Sequence, residues 1–195
     1  SPSCNDSAGT NAATGIGYDT PGACNTWIGA SPASNCSNAL RNVNTSLCFR
    51  RTFAVPAPTN LTSLTLRMKY EDGFVAFING VEVGRANCTS AMAYNTKANT
   101  AVDESVVNTW YDYTVPTNLV VTGSNLLAVQ GLNSSASSSD FLLLPTLFGM
   151  VSAFDGTWVY FSSPTPGTQN GTGTSGPLLF DATPADPDVP RPLGN

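Results

Sequence analysis

Leu64-Thr65-Leu66-Arg67-Met68-Lys69-Tyr70-Glu71-Asp72-Gly73-Phe74-Val75-Ala76-Phe77-Ile78-Asn79-Gly80-Val81-Glu82-Val83-Gly84-Arg85 decides the fold. Leu64, Leu66, Met68 and Tyr70 alternate with Thr65, Arg67 and Lys69, the period of two that gives a strand one apolar and one polar face. Asp72-Gly73 reads as a turn. Asn79-Gly80 between two β-rich runs reads as a two-residue hairpin, because both central residues of that turn need positive φ.

The same alternation extends outward. Leu47, Phe49, Arg51 and Phe53 share one face of a run that stops before Pro56. Trp110 to Val115 alternates again and stops at Pro116. Leu126 to Leu132 and Phe141 to Leu144 are nearly continuous apolar runs, and Thr157 to Phe161 is a short aromatic one. No stretch keeps helical periodicity over ten residues. Short strands separated by turn signals predict an all-β, antiparallel sandwich of jelly-roll type. A polar loop from Ala86 to about Asp103 carries Cys88; loops of that length are pinned or functional.

Composition divides the chain into a polar segment 1–14, a β-sandwich domain 15–161 and a Pro/Gly/Thr-rich extended tail 162–195, with a cysteine-bearing insertion at 20–46. Charged residues make up only 11%, against about 25% in ordinary soluble proteins. Ser, Thr and Asn supply close to a third of the chain, so its polarity comes from hydroxyls and amides. There is no histidine, which removes Ser-His-Asp and Cys-His chemistry, imidazole metal sites and histidine pH switches. A net charge of −5 leaves no basic footprint for nucleic acid. No apolar run approaches the roughly 20 residues of a membrane span. No secretory leader reads at the start, so a secreted chain would be in its mature form.

Cys4, Cys24, Cys36, Cys48 and Cys88 lack metal-type spacing. Their long, irregular gaps suit disulfides in an oxidising compartment, and the odd number leaves one thiol free or linked between chains. Pairing stays open, with Cys24–Cys36 attractive because both lie in one loop. Sequons at Asn5, Asn35, Asn44, Asn60, Asn87, Asn133 and Asn170 add weight to a secreted, cell-surface address.

Gly15-Ile16-Gly17-Tyr18-Asp19, Ser46 to Phe53, Leu64 to Arg85, Gly123 to Gln130 and Asn133 to Phe141 occur in an order that resembles the galactose-binding-domain-like jelly-roll modules of bacterial secreted multidomain proteins. The resemblance covers roughly residues 15–150. It implies the sandwich fold and most readily suggests carbohydrate binding. Such modules usually have a strand ahead of the Gly-x-Gly-Tyr segment, whereas here only small polar residues precede it. The missing edge would come from the tail, near Trp158–Phe161 or Leu178–Phe180, or from a neighbouring copy.

Two functions are therefore expected. In the first, the chain is a non-catalytic structural or adhesive extracellular subunit that assembles with copies of itself through an extended terminus or strand exchange. In the second, it binds extracellular polysaccharide. A glycan site needs an aromatic platform beside hydrogen-bonding groups: Trp27, Tyr94 and Trp110 are candidates, with Asn87 and Asp103 as polar partners. Glu71, Asp72, Asp103 and Asp140 could offer oxygens to a structural Ca²⁺, although an Asp in a turn commonly accepts backbone N–H bonds instead. Catalytic residues are not expected, since neither a paired-carboxylate nor a nucleophile motif can be read.

Overall fold

Alternation becomes layering in the computed structural model, which describes residues 9–20, 22–151, 159–160 and 174–175. Compact packing divides the chain into Ser1–Val151 and Ser152–Asn195. The described residues of the first unit hold eight strands: β1 (Ile16–Tyr18), β2 (Ser46–Val55), β3 (Leu61–Glu71), β4 (Gly73–Ile78), β5 (Val81–Ala86), β6 (Tyr111–Val115), β7 (Gly123–Leu132) and β8 (Phe141–Val151). One four-stranded sheet runs β1-β8-β3-β6 and the other β2-β7-β4-β5, antiparallel throughout. Successive strands alternate between the sheets except at the β4–β5 hairpin, which is the eight-stranded jelly-roll order. In the second unit, β9 (Val159–Tyr160) pairs with β10 (Thr174–Ser175) in a two-stranded sheet. Trp158, Phe161 and Leu178–Phe180 lie outside the described residues.

The core forms where the inward faces meet. Leu64, Leu66, Met68 and Tyr70 of β3 pack with Phe74, Ala76 and Ile78 of β4, Leu127 and Val129 of β7, and Phe141 and Leu143 of β8. Leu47, Phe49 and Phe53 of β2 pack half-buried against this cluster, while Arg51 is exposed. The hairpin forms as its sequence predicts, with φ of 50° at Asn79 and 86° at Gly80. Its Asn79 side chain donates to Leu119 O and Asn125 Oδ1 and accepts from Leu126 N, tying the turn to the start of β7.

The long loop is pinned. Cys88 and Ala98 bury against Val75 and Leu132 on the outer side of the second sheet. Asp72, fully buried, takes the Val102 amide on one carboxylate oxygen (2.8 Å) and the Ser134 amide on the other (2.7 Å). One side chain thereby joins the loop after β5 to the loop after β7. The insertion is anchored by Cys24 and Leu40, both buried, and winds through short 3-10 turns and one helical turn, α1 (Ser37–Leu40).

No disulfide joins Cys24, Cys36, Cys48 and Cys88 to one another; Cys4 lies outside the described residues. Of the pairings left open, Cys24–Cys36 is not formed, and the two thiols belong to different clusters. Cys24 packs with Val107 and Leu142, and Cys36 packs in the main core. Burial pushes the Cys36 thiol up to about 12, which keeps it protonated and unreactive.

Removing the Asp72 carboxylate leaves two amides without their acceptor, and an unsatisfied buried donor costs about 1–3 kcal/mol. Asp72→Ala is expected to lower the unfolding free energy by about 3 kcal/mol. The measurement is a urea titration, and an unchanged midpoint would refute the clamp.

Candidate functional site

Strand β3 also builds an outer face. Thr65, Arg67 and Lys69 point away from the core, but Lys69 is not solvated: it is 1% exposed. Two short 3-10 segments, Ala23–Thr26 and Glu104–Asn108, cover this end of the sheet. Cys24, Val107 and Leu142 form a small core beneath them, with Trp27, Ile28 and Leu144 packed at its edge.

Inside that cover the Lys69 ammonium finds three partners. Nζ donates to Val107 O at 2.8 Å and lies 3.9 Å from the ring centre of Trp27 and 4.9 Å from that of Trp110. The two indoles meet edge to face, 6.4 Å apart. Burial holds the ammonium below the ordinary lysine range, and the carbonyl and two π faces replace the water it loses. Trp110 remains 38% exposed while Trp27 is half-buried, with its Nε1 unpartnered. The arrangement is an aromatic corner fixed from within and open to solvent on the Trp110 side.

Trp27 and Trp110, far apart in sequence, are thus brought together. Asp103 caps the covering segment by accepting the Ser105 amide at 2.8 Å, which holds its carboxyl below the usual range. Tyr94 is 85% exposed, but its loop is tied to β2 through a Ser46 Oγ bond to its carbonyl. Asn87 is structural: its amide donates to Asp72 O and Thr100 O and accepts from the Thr100 hydroxyl. Lys69 itself escaped sequence reasoning, because an alternating strand places a lysine in water; its isolation between apolar neighbours at 68 and 70 gave no other signal.

The carboxylates expected for Ca²⁺ do not form a ligand set. Both Asp72 oxygens face backbone amides, and Asp103 is exposed on another loop. Asp140 accepts from the Ser138 hydroxyl at 3.1 Å. Among the described residues no three His, Cys, Asp or Glu side chains gather as metal ligands. Glu71 is 2% exposed, and burial, with Asp72, Asp140 and Asp19 nearby, pushes its carboxyl up to about 11. It therefore keeps its proton at pH 7.

No family model and no curated protein matches the chain. Solved structures do. An α-L-rhamnosidase from Streptomyces avermitilis, complexed with L-rhamnose, is 21% identical with a TM-score of 0.41, covering 56% of this chain and 9% of that one. The Aspergillus terreus α-L-rhamnosidase is 20% identical at a TM-score of 0.36, covering 55% and 13%. A β-D-mannosidase from Dictyoglomus thermophilum is 19% identical at 0.31, covering 46% and 9%. The chain spans about a tenth of the length of these enzymes. Among the described residues no helix is long and apolar enough to cross a membrane.

Two measurements follow. The native state holds a Glu71 proton that the unfolded chain releases above its ordinary value of 4.5. Glu71's contribution to stability is full below that value and falls as pH rises toward about 11, by at most ~1.4 kcal/mol per pH unit. Glu71→Gln should flatten this slope in denaturation series from pH 5 to 9; an unaltered slope would contradict the neutral carboxyl. Lys69→Met keeps the volume but removes the ammonium. It is expected to cost about 2 kcal/mol and to red-shift the tryptophan emission as Trp110 loosens. Unchanged emission would show that Lys69 does not hold the corner.

Proposed function

We propose that this chain is a non-catalytic carbohydrate-binding module of a secreted protein, galactose-binding-like in fold, with Trp110 as its platform. The observation that carries the reading is the Trp110 indole, 38% exposed and held on its inner side by Lys69 and Trp27. A ring fixed before the ligand arrives loses little rotamer freedom on binding, which is what makes rigid aromatics effective anchors. The small share of charged residues, 11% of the chain, suits a neutral ligand.

Self-assembly is the second reading. It rests on β2, a ten-residue strand that stands last in its sheet's order beside β7. Such an edge can accept another strand.

Pull-down on a panel of insoluble polysaccharides separates the two. Wild-type protein should be retained on at least one and Trp110→Ala released from it, with far-UV circular dichroism unchanged. Equal retention of both proteins would refute the Trp110 site. Concentration-dependent growth in light scattering, without any retention, would transfer the function to β2.

A further inference from the structure

The outer face of the first sheet continues beyond the aromatic corner. Trp110 stands one residue before the Met68–Tyr111 pair, which sets it opposite Lys69. The next outward row is Asp112, Arg67 and Thr146, and the one after it Thr114, Thr65 and Phe148. No described element covers these rows: Asp112, Thr114, Thr146 and Phe148 are all exposed, Phe148 at 42%. With two strand spacings across and four residues along, Trp110 and Phe148 lie roughly 17 Å apart.

The second aromatic repeats the logic of the first. The Arg67 guanidinium stacks over Phe148 at 5.1 Å, as Lys69 does on Trp110. Arg67 is itself held by Asp112 through two parallel bonds of 2.6 and 2.7 Å. Each ring therefore carries a cation on one side, which disfavours a second cation on the other. The charge between them is neutralised within the Arg67–Asp112 pair. What remains exposed is a strip with an aromatic ring at each end, threonine hydroxyls along it, and a neutralised ion pair between them, the Lys69 ammonium being buried beneath Trp110.

Resting on the carbohydrate-binding reading, we infer that this face binds an extended, neutral polysaccharide of β-1,4-linked pyranoses laid from Trp110 to Phe148. The flat C–H faces of such a ribbon stack on the two rings. Its equatorial hydroxyls meet Thr114, Thr146 and the outer atoms of the Arg67–Asp112 pair. A single sugar reaches one ring, whereas a chain of several reaches both, so affinity depends on length. Phe148 is the residue that senses length.

The test is calorimetric titration of the wild-type chain, Trp110→Ala and Phe148→Ala with cellobiose, cellohexaose and chitohexaose, alongside retention on microcrystalline cellulose and on a panel of α-linked and branched polysaccharides. The wild type should bind a hexasaccharide at least about tenfold more tightly than cellobiose. Phe148→Ala should erase that advantage and leave disaccharide affinity unchanged, while Trp110→Ala should weaken both. Equal affinity for short and long chains, or a Phe148→Ala variant with full hexasaccharide affinity, would overturn the inference and leave the Trp110 site standing. So would retention on α-linked polymers alone. A dimer that Phe148→Asp dissociates with retention unchanged would assign the face to a second copy and overturn it as well. Failure of the wild type to bind any polysaccharide would remove the carbohydrate reading together with the inference.

Discussion

One buried ammonium organises the distinctive part of this molecule. Lys69 lies on an inner strand near one end of the sheet, on the face that should be wet, and it can be there only because Val107 O and two indoles take the place of water. To supply those partners, the insertion must bring Trp27 over the sheet from one side, and the segment before β6 must bring Val107 and Trp110 from the other. The core beneath is ordinary jelly-roll packing. The covered lysine is what gives one end of the sheet a rigid aromatic surface.

Two charges on adjacent outward positions of β3 illustrate how context divides like residues. Lys69 is buried and paired with π faces and a carbonyl. Arg67, two residues away on the same face, stays half-exposed, and a bidentate carboxylate keeps its charge in place. The first fixes structure and the second shapes a surface. Across the sandwich edge, Asp72 performs a third kind of work, spending both oxygens on backbone amides and so closing two loops over one end of the fold.

The architecture was legible because period-two alternation is a direct record of which face is buried. Leu64 through Tyr70 and the Asn79-Gly80 turn declared their roles without ambiguity. Trp27 and Trp110 were legible as candidates, since exposed aromatics in polar loops are uncommon, but no local pattern could announce that they meet. That meeting depends on two covering segments whose sequences have no period. Of the acidic residues, Asp72 offered two readings, cation ligand or acceptor of backbone N–H bonds, and its two amide partners take the second; nothing in the sequence around Glu71 announced its burial. Cysteine pairing was left open by the sequence, because shared loop membership says nothing about which cluster each thiol packs in.

Nuclear magnetic resonance of the indole Nε1–H groups during a titration with cellohexaose tests the account most directly. The chain has three tryptophans, so each signal can be assigned by substitution. The account predicts a saturable shift of the Trp110 resonance and a smaller one at Trp27. A saturating sugar that leaves the Trp27 and Trp110 resonances in place would contradict it.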